Sequence, residues 1–195
     1  MFNKSLMAAA VAAMIAGPAL AQPADGPGPN VVIEVAGADG AAKGKVVIDL
    51  ASDSAPNHAA RIVELAKGGA YDGVVFHRVI DGFMAQTGDV QYGKKDGNTA
   101  MAGMGGSDLP DLKAEFSNRS FARGIVGMAR SADPDSANSQ FFIMFAPAPH
   151  LDGQYTVVGH VLEGMEVIDA VKKGDAAANG SVEAPDYMAK VTVAD

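Results

Sequence analysis

The sequence predicts a mainly β fold, namely a closed eight-stranded antiparallel barrel capped by two α-helices. Three observations predict it. Eight short runs of β-branched and other apolar residues are separated by turn-forming residues, and two further stretches space their apolar residues as amphipathic helices do. The chain of 195 residues contains no cysteine, so neither a disulfide nor a zinc–thiolate site is expected to hold the fold, and a buried core must.

The N-terminal residues predict that the protein is exported. Lys4 precedes an apolar run, and the small-residue tripeptide Ala19-Leu20-Ala21 follows it, which is the pattern of a signal peptide over residues 1–21. The apolar run is shorter than the ~20 residues that a membrane-spanning helix needs. We therefore expect a periplasmic protein that does not contact the membrane after cleavage.

The remaining chain is expected to form a leader and one domain. Residues 22–30 are rich in proline and glycine and have nothing to bury, which is typical of a disordered leader, and residues 31–195 form the predicted domain. Strands are predicted at residues 31–36, 45–50, 74–80, 83–87, 124–129, 140–145, 156–162 and 188–193. The first two are expected to pair as a hairpin.

Two helices and one long loop complete the predicted domain. The first helix begins at Pro56 and ends before Gly68, with His58 expected to face solvent. The second helix covers residues 165–173 and ends at Gly174. Residues 90–118 contain many glycines and little periodicity, and loops of that length are usually functional or disordered.

The charge of the chain excludes one class of partner. The formal net charge is −8 at pH 7, whereas a surface that binds nucleic acid needs clustered basic residues. We therefore expect no nucleic-acid partner. A monomer is the default expectation.

Two predicted strands each combine large apolar side chains with a neutral amide on one face. In the segment FHRVIDGFMAQTGD, residues 76–89, alternation places Met84 and Gln86 on the same face. In NSQFFI, residues 138–143, it places Gln140 and Phe142 together, opposite Phe141. An apolar pocket with a few oriented hydrogen-bonding groups would explain both faces.

These segments, with residues 124–129 between them and residues 151–159 after them, resemble the signature of the cyclophilins in its usual order. The resemblance covers most of residues 31–193. It implies a peptidyl-prolyl cis/trans isomerase that uses no cofactor and no metal. Its implied partners are proline-containing polypeptides, here unfolded or flexible exported proteins whose folding it would assist.

The resemblance also implies roles for individual residues. Arg78 matches the arginine that points at the proline amide, and Gln86 matches the glutamine beside the substrate carbonyl. The implied substrate-binding residues are His77, Phe83, Met84, Ala129, Arg130, Gln140, Phe142, His150, Leu151 and Tyr155. Three of them depart from the common eukaryotic pattern, because His150 replaces tryptophan, Tyr155 replaces histidine and Arg130 replaces asparagine.

The implied site residues, namely an apolar pocket, one arginine and two glutamines, suit rotation about an amide bond. Rotation about an X–Pro bond has a barrier of ~18–20 kcal/mol and breaks no covalent bond. In the twisted state the proline nitrogen becomes basic, so an apolar pocket and an N–H donor both favour that state. Arginine suits the donor role because it stays charged and carries a rigid fork of donors.

Three other functions compete with isomerisation for this sequence. A serine hydrolase would use Ser107 or Ser139, but neither lies in a Gly-x-Ser-x-Gly turn. A metal site would use histidines without the spacing of a known zinc motif. The histidines are His58, His77, His150 and His160. A binding module or chaperone for proline-containing segments stays open, because one pocket can bind with or without turnover.

Overall fold

The computed structural model describes residues 24–194. The predicted signal peptide lies outside the described residues, as does the start of the predicted leader. The described part of that leader lies against the domain, where the Gly26 N–H donates to Asp49 Oδ2 at 3.0 Å. Asn30 is already the first residue of a strand.

The described chain forms nine strands and two α-helices in the following order. The strands are β1 Asn30–Ala36, β2 Ala42–Leu50, β3 Val74–Val75, β4 Arg78–Ile80, β5 Met84–Thr87, β6 Ile125–Met128, β7 Phe141–Met144, β8 Val157–Glu163 and β9 Tyr187–Ala194. The helices are α1 Pro56–Lys67 and α2 Met165–Asp169. Within residues 24–194 no helix combines the length and apolar character needed to cross a membrane.

All nine strands belong to one antiparallel sheet with the order β3-β9-β1-β2-β8-β6-β7-β5-β4. Only Phe76 and His77 separate its two edge strands, β3 and β4, in sequence. The sheet therefore curls into a half-barrel whose edges the chain itself connects.

The predicted closed, eight-stranded barrel is wrong in both closure and strand number. The predicted strand at residues 74–80 splits, because β3 pairs with β9 whereas β4 pairs with β5. Between them the Phe76 N–H donates to Asp186 O and the Val79 N–H to Gly180 O. Through these bonds the backbone leaves β9 after Val75 and pairs with β5 only from Arg78 onward.

Helix α1 begins and ends where the sequence predicted, but its N-terminus is capped by a residue from the long loop. The capping position, Ala55, has no side chain that can accept a hydrogen bond. Glu115 accepts instead from the N–H groups of Asn57 and His58, each at 3.1 Å, and lies 2.6 Å from His58 Nδ1. The prediction that His58 faces solvent is wrong, because this contact leaves it fully buried.

Helix α2 is shorter than predicted and ends at Asp169 instead of residue 173. The Lys172 N–H donates to Asp186 Oδ2 at 2.8 Å and not to a helical carbonyl. Val171 is buried, as its apolar periodicity suggested, but it lies beyond the last helical turn. The carboxylate of Asp186 thus ends the helix, whose last residue lies five positions before Gly174.

Two apolar clusters lie on opposite faces of the sheet. The larger cluster fills the inside of the curl and includes Phe141, Ile143 and Ala85, with α1 packed over it. The smaller one, on the outside, includes Met84 and Phe142. Burying a large apolar side chain stabilises a fold by about 1.5–3 kcal/mol, so both clusters contribute to stability.

Candidate active site

The outer cluster forms the wall of a cavity of about 190 Å³ on the surface of strands β4, β5 and β7. Its lining comprises Arg78, Phe83, Met84, Gln86, Ala129, Arg130, Phe142, Leu151 and Tyr155. All nine were singled out from the sequence, and the fold brings them together from five separate segments. The cavity is mostly apolar, with two arginines and one amide at its edge.

Aromatic rings give the cavity its shape. Phe142 stacks on Phe121 at a centroid distance of 5.8 Å and meets the edge of Tyr155, also at 5.8 Å. Phe121 is fully buried behind the wall and no motif in the sequence pointed to it. Offset and edge contacts of this kind hold rings more firmly than apolar contact alone.

Arg78 is held at the rim by three hydrogen bonds. Its Nη1 donates to Gln86 Oε1 at 3.2 Å, while Nε and Nη2 donate to the main-chain and side-chain oxygens of Asn179, each at 3.0 Å. An arginine carries five N–H donors, so two remain for a ligand. Burial lowers the pKa of Arg78, and the Tyr155 hydroxyl opposes that shift, yet arginine remains protonated in proteins.

Two glutamines continue this network. Strand pairing sets Arg78 opposite Gln86, and the Gln86 Nε2 donates to Gln140 Oε1 at 2.9 Å. Because Gln86 accepts from Arg78 and donates to Gln140, its amide orientation is determined. Gln140 lies behind Gln86 and donates to the carbonyl oxygens of Gly103 and Gly105 at 3.0 and 2.8 Å.

The long loop reaches the site through the buried carboxylate of Asp89. Its Oδ2 accepts from the N–H groups of Gly103 and Gly105 at 2.7 and 2.9 Å, and its Oδ1 accepts from Gln91 and Tyr92. The predicted loop therefore has fixed internal contacts. It supplies the carbonyl groups that orient Gln140.

A second, larger groove of about 570 Å³ adjoins the cavity and shares Gln86, Ala129 and Arg130 with it. Residues 103–107 line it together with Asn138, whose Oδ1 accepts from the Ser107 N–H at 2.7 Å. Arg130 stands between the two spaces with its guanidinium 4.3 Å from the centroid of the Tyr155 ring. The two spaces together suit an extended chain with one ring in the apolar cavity.

Three predicted substrate-binding residues are absent from the cavity lining: Gln140 lines only the second groove, and two histidines line neither space. His150 is exposed and stacks on Phe83 with centroids 5.9 Å apart. His77 lies beside Gly103, and neither of its ring nitrogens has a hydrogen-bond partner within residues 24–194. Burial lowers the pKa of His77, and the Asp89 charge opposes that shift.

The groups required by the hydrolase and metal alternatives do not converge in the described part of the chain. The hydroxyl of Ser139 donates to Gly88 O and that of Ser107 to Asn138 Oδ1, each at 2.7 Å, so neither is bonded to a histidine. No three side chains of histidine, aspartate or glutamate in residues 24–194 are grouped as metal ligands would be.

Comparison with known proteins identifies relatives over nearly the whole chain. The family model of the Cyclophilin type peptidyl-prolyl cis-trans isomerase/CLD matches residues 31–193. A probable peptidyl-prolyl cis-trans isomerase of Brucella suis is 50% identical over 193 residues, 98% of this chain and 95% of that protein. A peptidyl-prolyl cis-trans isomerase of Helicobacter pylori is 40% identical over 137 residues, 68% of this chain and 77% of that protein.

Solved structures share the fold. A cyclophilin from Hirschia baltica superposes with a TM-score of 0.69 at 27% identity, covering 86% of this chain and 74% of that one. A Cryptosporidium parvum cyclophilin-type isomerase, crystallised in the presence of the dipeptide Ala-Pro, superposes with a TM-score of 0.70 at 22% identity. It covers 85% of this chain and 99% of that one, and at this identity it shows the fold alone.

Proposed function

The chain belongs to the cyclophilin family and is a peptidyl-prolyl cis-trans isomerase that needs no cofactor, and we propose that it rotates X–Pro bonds in exported proteins and so assists their folding. The observation that carries the assignment is the cavity itself. An apolar ring site lies directly beside Arg78, whose guanidinium keeps two N–H donors after its protein contacts are made.

The proposed mechanism uses the cavity and the arginine for different tasks. Phe142, Met84 and Leu151 surround the proline ring and keep water from it. Within that apolar space the less polar twisted amide is favoured over the planar one. Arg78 then donates an N–H to the nitrogen lone pair that appears only as the amide twists, which stabilises the transition state more than the ground state.

Gln86 contributes orientation. Its Oε1 accepts from Arg78 and one hydrogen of its Nε2 goes to Gln140, so the second hydrogen remains for the substrate carbonyl. The carbonyl is then held while the prolyl side rotates. Positioning of this kind lowers a barrier because the reacting groups need not be ordered during the reaction.

We propose the periplasm as the place of action, on the support of Lys4, the apolar run and the Ala19-Leu20-Ala21 site. Unfolded or flexible exported proteins are the proposed substrates, and a monomer is the proposed form. Mass spectrometry of the exported protein should find Gln22 as the first residue. A protein recovered from the periplasm with its N-terminal segment intact would contradict the cleavage.

A binding module with little turnover is the second candidate, favoured by the open groove next to the cavity. The two candidates differ in one measurement on a short peptide containing a single X–Pro bond. Exchange spectroscopy by NMR reports the cis/trans interconversion rate with catalytic amounts of the purified protein. An isomerase speeds the interconversion far beyond its uncatalysed ~10–100 s timescale, whereas a binding module shifts resonances without speeding it.

A further inference from the structure

On the side away from Gln86, Arg78 is hydrogen-bonded by one residue, Asn179. Asn179 lies 101 positions later in the chain. The main-chain oxygen of Asn179 accepts from Arg78 Nε, and its side-chain Oδ1 accepts from Nη2, both at 3.0 Å. A single residue thus binds two edges of the guanidinium. Neither the family motifs nor the strand pattern marks this residue.

Asn179 makes these two hydrogen bonds from a left-handed backbone conformation, which costs free energy. Its φ is 54° and its ψ is 35°, in the left-handed region, where a residue with a Cβ is disfavoured. Within residues 24–194 only one other non-glycine residue, Ala184, has a positive φ. Strained backbone that persists at a site indicates that the surrounding structure imposes it.

The surrounding contacts lock the turn to the strand that carries Arg78. Asp175 O accepts from the Gly180 N–H, and Gly180 O accepts from the Val79 N–H, each at 2.8 Å. A Cβ on Gly180 would lie 2.4 Å from Ile80 Cγ1, so the turn fits closely against β4. These contacts therefore fix the turn that carries Asn179 relative to the backbone of Arg78.

We propose that Asn179 is a positioning residue for the isomerase reaction, and this inference rests on the proposed role of Arg78 as donor. With Asn179 on two edges and Gln86 on the third, the guanidinium cannot turn, and its two remaining N–H groups are aimed before substrate binds. Both acceptor residues are neutral, and none of the ion pairs within residues 24–194 includes Arg78. The charge stays available to the developing lone pair.

The decisive variant is Asn179→Gly. Glycine keeps the main-chain oxygen and adopts the left-handed conformation without strain, but it lacks Oδ1. We expect kcat on an X–Pro peptide to fall by about two- to tenfold, as for the loss of one ordinary hydrogen bond. The dissociation constant for the peptide should stay unchanged, and the melting temperature should stay equal or rise.

Ala184→Gly is the matched control. It removes a Cβ from the other strained non-glycine position, which is exposed and accepts none of the three hydrogen bonds of Arg78. It should raise or preserve the melting temperature in the same way and leave kcat unchanged. A fall in kcat that accompanies Asn179→Gly but not Ala184→Gly therefore reports the lost oxygen and not the relieved strain.

Combining Asn179→Gly with Arg78→Ala tests whether the effect passes through the arginine. The double variant should be no slower than Arg78→Ala alone, because there is no guanidinium left to position. Additive losses would overturn the proposal, and so would an Asn179→Gly protein that turns over as fast as the parent. If the parent itself does not catalyse exchange, the proposed function fails instead, which keeps the two failures distinguishable.

Discussion

Strands β5 and β7 have two faces with different functions, formed by alternate residues of the same short segments. Phe141 and Phe142 are neighbours in sequence and almost equally buried, with exposed fractions of 3% and 6%. Phe141 packs edge-on to Tyr71 within the inner core, whereas Phe142 forms the wall of the cavity. Burial alone therefore does not separate a core residue from a site residue, but the neighbours of each side chain do.

The two faces of these strands also differ in their polar side chains. On the inner face Ala85 and Ile143 belong to the buried apolar cluster, whereas on the outer face Gln86 and Gln140 hydrogen-bond each other. A two-residue period lets one strand stabilise the fold and present a site at once. Substitutions on the two faces should then change different measurements.

The largest expected effect falls on the inner face. Phe141→Ala should lower the free energy of unfolding by about 3–5 kcal/mol, because it removes a ring from a packed core and leaves a cavity. Chemical denaturation measures this loss. The rate per folded molecule should match the parent, and a variant that stays stable but loses activity would contradict the division between faces.

On the outer face the matched substitution is Phe142→Leu, which keeps most of the volume and should cost under about 1.5 kcal/mol of stability. Loss of the ring from the cavity wall should weaken binding of a proline peptide by about tenfold, equivalent to ~1.4 kcal/mol. Titration calorimetry measures the affinity. Phe141→Leu is the control, and equal affinities in the two variants would show that the wall does not bind the peptide.

Glu115 caps α1 and does not line the cavity, so it should affect stability and not catalysis. Burial raises the pKa of Glu115, but hydrogen bonds from His58 and Asn57 outweigh it and hold the pKa below its usual range. Its ionised form therefore stabilises the fold above the unfolded-state pKa, and this contribution disappears as pH falls through the lower folded-state value.

Glu115→Gln should accordingly lower the free energy of unfolding by about 1 kcal/mol at pH 7, as for the loss of a helix cap. The difference from the parent should shrink as the pH is lowered through the acidic range, where the parent carboxylate becomes protonated. Denaturation curves at several pH values measure it. A difference that is independent of pH, or a change in turnover, would contradict this assignment.

The smallest effect is expected from Arg130, between the cavity and the groove. Its side chain forms no ion pair within residues 24–194 and stacks on Tyr155. A peptide with glutamate near the proline should therefore lose up to about fivefold in kcat/KM in Arg130→Asn, consistent with ~1 kcal/mol for a solvated charge pair. The same peptide with glutamine is the control, and equal losses for both peptides would exclude a charge effect.

The sequence predicted what depends on neighbouring residues. Alternation along a strand placed Met84 with Gln86 and Gln140 with Phe142, because the side-chain period is a local property of the backbone. It did not predict the burial of His58, since Glu115 comes from a distant loop. The Asn179-Gly180 pair is a turn signal in the sequence, but its contact with Arg78 depends on how the sheet curls.

The central claim is that Arg78 acts mainly on the twisted amide while the cavity binds the proline, and one experiment on Arg78→Ala tests it most directly. NMR exchange spectroscopy on a single X–Pro peptide gives both the rate at saturation and the affinity for parent and variant. Loss of a charge-assisted hydrogen bond made in the twisted state costs ~1.5–3 kcal/mol, so the rate should fall roughly 10- to 150-fold with nearly unchanged affinity. Arg78→Lys should recover little, because an ammonium lacks the planar fork. A folded Arg78→Ala protein that isomerises the peptide as fast as the parent would contradict the account.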